Sequence, residues 1–227
     1  VGKPRAVCRA GAARTGPGVS AVPLALAALV DPAHTVLVTQ ECQKGVIGPH
    51  PALPQLAEAA RREMIPNAAR LAAAARAAQV PVVHCVAARR ADGRGSNNNA
   101  RLFAGMRKRG GELRPDRGGG GVTAERGGGE PAVVLPRLHG LGPMGGTDLD
   151  PVLRNLGCRT VVGVGVSINV GMLDFAMDAV NAGYQMVVPR DAVAGVPRDY
   201  ADAVLDNTMS LIATLPSTDE VLAVWST

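Results

Sequence analysis

Short β-branched runs bounded by polar or turn residues alternate along this chain with longer stretches rich in Ala, Leu and Arg. The runs are Thr35–Glu41, Val80–Val86, Ala132–Leu135, Arg159–Gly165 and Tyr184–Pro189. Each has strand length and no helical period, which reads as a buried strand. Between them, helices are predicted over Glu58–Gln79, on both sides of Pro66, and over Ala100–Lys108. Further helices are predicted over Thr147–Leu156, capped by Thr147 and stopped by Gly157, over Asn169–Ala182, closed by Gly183, and over Asp199–Ile212. An apolar piece, Leu211–Leu215, precedes Thr218, which is predicted to cap a last short helix. This alternation implies an α/β fold: a three-layer α-β-α sandwich whose mostly parallel sheet carries helices on both faces, joined by right-handed crossovers. Functional groups in such sheets gather at the carboxyl ends of the strands. That rule selects Glu41, the residues after Val86, Arg137 and the turn leaving Gly165.

Composition narrows the picture. The length of 227 residues suits one large domain, and with 47% hydrophobic but only 2% aromatic residues the core must be built from Ala, Val and Leu. The net charge of +5 is unevenly spread. Residues 1–30 hold Lys3, Arg5, Arg9 and Arg14 without an acid, and Arg89, Arg90, Arg94, Arg101, Lys108 and Arg109 crowd a second stretch. Neither stretch is interleaved with aromatics, so a solvated basic face is expected, with no nucleic-acid partner. The apolar run Val19–Val30 is too short to span a membrane. Residues 1–20 have the composition of a transit peptide, or equally of sequence translated ahead of a start near Val19 or Val22. They are read as an accessory arm preceding a domain over 21–227. The glycine-rich stretch 110–130 reads as a surface connection. Cys8, Cys42, Cys85 and Cys158 form no CxxC pair and no zinc spacing, so buried thiols of a cytoplasmic protein are expected, with no metal.

Two glycine patterns suggest a nucleotide. Gly140-Leu-Gly142-Pro-Met-Gly145 fits GxGxxG but has a proline inside the loop and no acid at the right distance. Gly163-Val-Gly165 begins another that breaks at Ile168. Three other segments carry more. They are Thr35-Val-Leu-Val-Thr-Gln-Glu41-Cys-Gln43, Leu135-Pro-Arg137 with Gly146-Thr-Asp-Leu149, and Gly165-Val-Ser-Ile-Asn-Val-Gly171-Met-Leu-Asp-Phe-Ala-Met-Asp178-Ala179, continued by Gly183-Tyr184 and Asp191-Ala192. In this order they resemble the isochorismatase-like hydrolases over roughly residues 30–225.

The resemblance implies a site. Its catalytic acid falls on Glu41, its lysine on Arg137, and its nucleophilic cysteine on Gly171, where no thioester can form. The Asp-x-His metal motif of nicotinamidases is replaced by Val86-Ala-Ala, so no metal or other cofactor is implied. His84, alone on its strand, reads as a core histidine. True isochorismatases also carry glycine at the position of Gly171 and hydrolyse a vinyl ether with the acid alone. The glutamine they carry after the second strand falls on Ala87, so isochorismate itself is not implied. The expected function is hydrolysis of a small, anionic substrate by general acid catalysis without a cysteine nucleophile. The alternative is a non-catalytic, ligand-binding or scaffold relative. Ser167, Ile168, Asn169, His139 and Arg94 are the expected substrate-binding residues. Cys42 follows Glu41 on the strand and should face the other way, and Ser167 has no evident base. The resemblance further implies a cis peptide between Val166 and Ser167 and a homo-oligomer.

Overall fold

The computed structural model describes residues 25–109 and 132–226. The expected arm and the glycine-rich connection lie outside the described residues. In chain order the elements are α1 (Leu26–Leu29), β1 (Thr35–Gln40), α2 (Lys44–Ile47), α3 (Pro54–Arg62), α4 (Met64–Ala77), β2 (Val82–Ala87), α5 (Arg101–Arg109) and β3 (Val133–Arg137). They continue with α6 (Leu149–Asn155), β4 (Thr160–Val166), α7 (Gly171–Asn181), β5 (Gln185–Val187), β6 (Val193–Ala194), α8 (Arg198–Val204), α9 (Ser210–Ile212) and α10 (Thr218–Trp225). The sheet runs β3-β2-β1-β4-β5, with β6 also beside β4, and its strand pairs are parallel. The strand order therefore reverses at β1, which places a crevice at the carboxyl ends of β1 and β4.

Side-chain alternation divides the core. On β1, Leu37 packs with α3, α4 and α10, whereas Val36 and Val38 pack with α6 and α7. On β4, Val162 and Val164 join the first cluster and Val161 the second. Gly163 lies under Met186 of β5 and against α7: a Cβ there would stand 2.5 Å from Met186 Cε and 3.3 Å from both Met172 and Phe175. Close packing of these side chains thus explains a glycine inside a fully buried strand. With so few aromatics, Phe175 and Trp225 are buried anchors on opposite faces, and the Trp225 indole N–H donates to Val30 O at 2.9 Å.

The structure moves three predicted features. The break between α3 and α4 falls at Glu63, ahead of Pro66, which sits third in α4. An N–H in the first turn has no intrahelical acceptor, so proline is accommodated there. Ser217, not Thr218, caps α10: its Oγ accepts from the Glu220 N–H at 3.3 Å, and Glu220 Oε2 accepts from the Ser217 N–H at 2.7 Å. Thr218 instead donates its N–H and hydroxyl to Asp191 Oδ1, each at 2.8 Å. The helix expected over Asp199–Ile212 contains a π-helical turn at Leu205–Met209 between α8 and α9. The Val166–Ser167 peptide is cis, at the pair the resemblance designates. His84 is fully buried with Nδ1 2.7 Å from Thr39 Oγ1, and burial, aided by Arg76, lowers its pKa to about 4. It is a neutral core histidine.

Gly165 joins β4 to the site at φ +123°, and a Cβ there would stand 2.1 Å from Gln40 O, a backbone atom of β1. Neither conformation nor space admits a side chain. Gly165→Ala is expected to destabilise the fold by at least about 1–3 kcal/mol, read from denaturant midpoints.

Candidate active site

β1 leaves the sheet through Glu41, which adopts φ +53° while its N–H donates to Cys85 O at 2.9 Å. A left-handed glutamate costs about 1–3 kcal/mol and persists only where its surroundings enforce it. They do so here through Arg137 at the end of β3, paired in register with Ala87 of the intervening β2. Arg137 Nη2 donates to Glu41 Oε1 and to Leu141 O, the latter at 2.9 Å. Its Nη1 donates to His139 O at 3.2 Å and Gly140 O at 2.6 Å. One guanidinium therefore fixes both the carboxylate and the loop 138–141. The Arg137 side chain is 7% exposed and that of Glu41 20%, so the acid is the member that solvent or a ligand can reach.

Two glutamines flank this pair. Gln40 is fully buried, and its Nε2 donates to Glu41 Oε1 at 3.3 Å and Leu141 O at 3.4 Å. Gln43 clasps Ala87 at both backbone atoms, accepting from its N–H at 2.7 Å and donating to its carbonyl at 2.9 Å. This side-chain amide continues the β1–β2 pairing past the end of β1 and holds the end of β2 in place. The loop 138–141 is tied again by the Gly140 N–H, which donates to Asn97 Oδ1 at 2.8 Å.

Over Glu41 opens a cavity of about 140 Å³. Its walls are mostly apolar: Leu53 and Leu56 from α3, Leu102, Phe103 and Met106 from α5, and Leu138 and Leu141. Glu41, Arg89, Asn97, Arg137, His139 and Ser167 supply the polar groups, and Gly171 closes the floor beside Val170. A few polar groups converging in an apolar hollow have the character of a small-molecule site. Burial raises the Glu41 carboxyl above the ordinary glutamate value, and the Arg137 charge pulls against that rise without cancelling it. Cys42 and Cys85 are buried, and burial pushes both thiols up to about 12. No described cysteine lines the cavity, and among the described residues no three of His, Cys, Asp or Glu cluster to hold a metal.

Of the residues singled out from the sequence, Glu41, Arg137, Gly171, Ser167 and His139 meet at this cavity. Three do not. Ile168 is buried in the cluster with α6 and α7, its N–H bound to Ala194 O at 2.9 Å. Asn169 turns toward the 195–196 backbone, donating to Val196 O at 3.2 Å. Arg94 is exposed in a turn closed by its own N–H to Asp92 Oδ1 at 3.0 Å. The alternation of strand side chains does not continue through the turn after β4, so Ile168 and Asn169 face away from the cavity. Arg89, Asn97 and Gln40 were missed. Arg89 and Asn97 follow the end of β2, a position the strand-end rule does single out.

Gly171 is the first residue of α7. A Cβ there would stand 3.0 Å from Leu141 O, which Arg137 holds, and 3.2 Å from Gln40 Nε2. Gly171→Ala is expected to lower stability by about 1–3 kcal/mol, and Gln40→Ala in the same chain should return part of it, by thermal denaturation.

Comparisons with known proteins agree with this architecture. The sequence profile of the isochorismatase domain matches residues 35–220. An uncharacterized isochorismatase family protein, YecD of Escherichia coli O157:H7, is 31% identical over 77 residues, a stretch covering 34% of this chain and 41% of that relative's length. Among solved structures, a cysteine hydrolase from Pseudomonas syringae pv. phaseolicola superposes with a TM-score of 0.74 at 23% identity, covering 87% of this chain and 95% of its own. An isochorismatase family protein from Burkholderia thailandensis gives 0.69 at 24% identity, over 86% and 97% of the two chains. With the domain match spanning most of its length, this chain belongs to the isochorismatase family.

Proposed function

We propose that this chain is a hydrolase that acts on a small, anionic substrate by general acid catalysis from Glu41, without a cysteine nucleophile. The observation that carries the reading is the Glu41 carboxyl itself. It reaches a mostly apolar cavity at the switch point, with its pKa raised by burial and no described cysteine in the cavity lining. A raised pKa leaves more of the acid form near neutral pH, the form that can give up a proton.

The bond best matched to such a site is a vinyl ether or a close relative. The Glu41 proton goes to the enol-ether carbon, the π pair forming the new C–H bond. The resulting oxocarbenium ion takes up water, whose proton returns to the Glu41 carboxylate. The hemiketal then breaks its C–O bond to release an alcohol and a carbonyl product. Arg137 keeps Glu41 aimed and stabilises its conjugate base between the two proton transfers. The second reading, a ligand-binding relative without turnover, is favoured by the same ion pair, because a permanent guanidinium also supports the ionised acid.

Thermal shift against a panel of small carboxylates and enol ethers, followed by turnover assays of the hits, separates the two readings: ligands that bind without turning over favour the second. For a turned-over substrate, Glu41→Gln should reduce the rate by at least about 10²-fold. A thiol-alkylating reagent should leave activity intact. The acid form of Glu41 is lost as pH rises through its raised pKa, so the rate should fall on the alkaline side and hold on the acidic side. Turnover that survives Glu41→Gln unchanged overturns the acid mechanism.

Self-association belongs to the same proposal. Met177 and Val180, one turn apart on α7, are 43% and 38% exposed, and Leu211 on α9 is 80% exposed. Light scattering at micromolar concentration should report a mass above the 23.2 kDa of one chain.

A further inference from the structure

We infer that Arg89 is the anion receptor of this cavity, and that its ligand is a small monocarboxylate with an apolar body about the size of a six-membered ring. The inference rests on reading the cavity as the substrate site, and not on the acid role of Glu41.

The cavity is lined by two arginines, and they are in opposite states. Arg137 is spent. Its two Nη atoms serve Glu41 and the carbonyls of His139, Gly140 and Leu141. Its remaining donor, Nε, is buried and has no partner among the described residues. It organises the site and has no fork left for a ligand. Arg89 stands two residues past β2, just after Ala88, whose N–H donates to Arg137 O at 2.8 Å. It is half-buried, and among the described residues it makes no hydrogen bond or ion pair. The nearest acid in sequence, Asp92, is already held by Arg90 through Nε at 3.0 Å and Nη2 at 2.9 Å, and it also accepts the Arg94 N–H. Glu41 is taken by Arg137.

Arg89 lines the cavity with its Nη2 near Gly93, and it has no counter-charge among the described residues, a deficit of pairing for a permanent cation. A ligand carboxylate meets its planar fork bidentately and removes that deficit. The rest of the ligand then lies against Leu53, Leu56, Phe103 and Met106. Size follows from volume. The cavity holds about 140 Å³, close to the roughly 150 Å³ of an apolar cavity known to take benzene. Glu41 lines the same cavity.

Calorimetric titration of the full chain at fixed low salt tests this with benzoate and its uncharged isostere benzamide. Benzoate should bind more tightly than benzamide, and Arg89→Leu should weaken benzoate, each by about ten- to a hundredfold, the range for a charge-assisted hydrogen bond. Arg89→Lys, which keeps the charge but not the fork, should recover part of the affinity and guards against a Leu variant that fails to fold. Arg101→Leu, which removes a charge of the same stretch outside the cavity, should bind benzoate as the parent does. The readout is binding and not turnover, so a failed acid mechanism leaves this result standing. Benzamide binding as tightly as benzoate, no benzoate binding by the parent chain, or an unchanged affinity in Arg89→Leu overturns the inference.

Discussion

The contact between Arg137 and Glu41 is the constraint on which the rest of the site depends. Removing one member would leave a charge stranded in a poorly hydrated place, which typically costs about 3–5 kcal/mol. The pair is more than a charge match. Arg137 gives three of its donor contacts to the carbonyls of residues 139–141, so that loop cannot shift without loosening the acid. Glu41 in turn holds a left-handed backbone, which carries it off the line of β1 and toward β3. Strain at one strand end and hydrogen bonding at another are thereby a single arrangement.

That arrangement is possible because the strand order reverses at β1. Strand β1 is flanked by β2 on one side and β4 on the other, and the connections leave on opposite faces. The crevice between their carboxyl ends needs only a few residues to be lined. Gln43 ties the end of β1 to Ala87 of β2, and Gly165 allows β4 to lie against Gln40. Gly171 then begins α7 where Gln40 and the Leu141 carbonyl already occupy the room a side chain would need. Glycine at 171 is thus matched to its neighbours, whatever chemistry the pocket performs.

Charge is distributed within the cavity by the same logic. A low-dielectric wall of leucines, Phe103 and Met106 makes each polar group count for more than it would in water. The acid at one position is compensated from below by Arg137, while Arg89 has no compensation within the described residues. The cavity is therefore electrostatically asymmetric.

The sequence by itself determined the alternation of strands and helices, because buried parallel strands leave apolar runs and helices leave longer Ala- and Leu-rich stretches. It also placed Glu41 and Arg137 at or just past strand ends, and it marked His84 as core by its isolation. Tertiary structure alone decided which way each neighbouring residue faces. Ile168 and Asn169 stand beside the site in sequence yet turn to the core and to Val196, since the turn after β4 does not follow strand alternation. Arg94 lies five residues from Arg89, but a turn closed on Asp92 carries it outward while Arg89 stays at the end of β2. Gln40 could not be read from the sequence either. A glutamine inside an apolar strand becomes meaningful only when Glu41, Leu141 and Gly171 surround it, and those contacts span up to 131 residues of chain. Local pattern fixes periodicity and length, whereas the direction of a side chain at a strand end depends on partners that are distant in sequence.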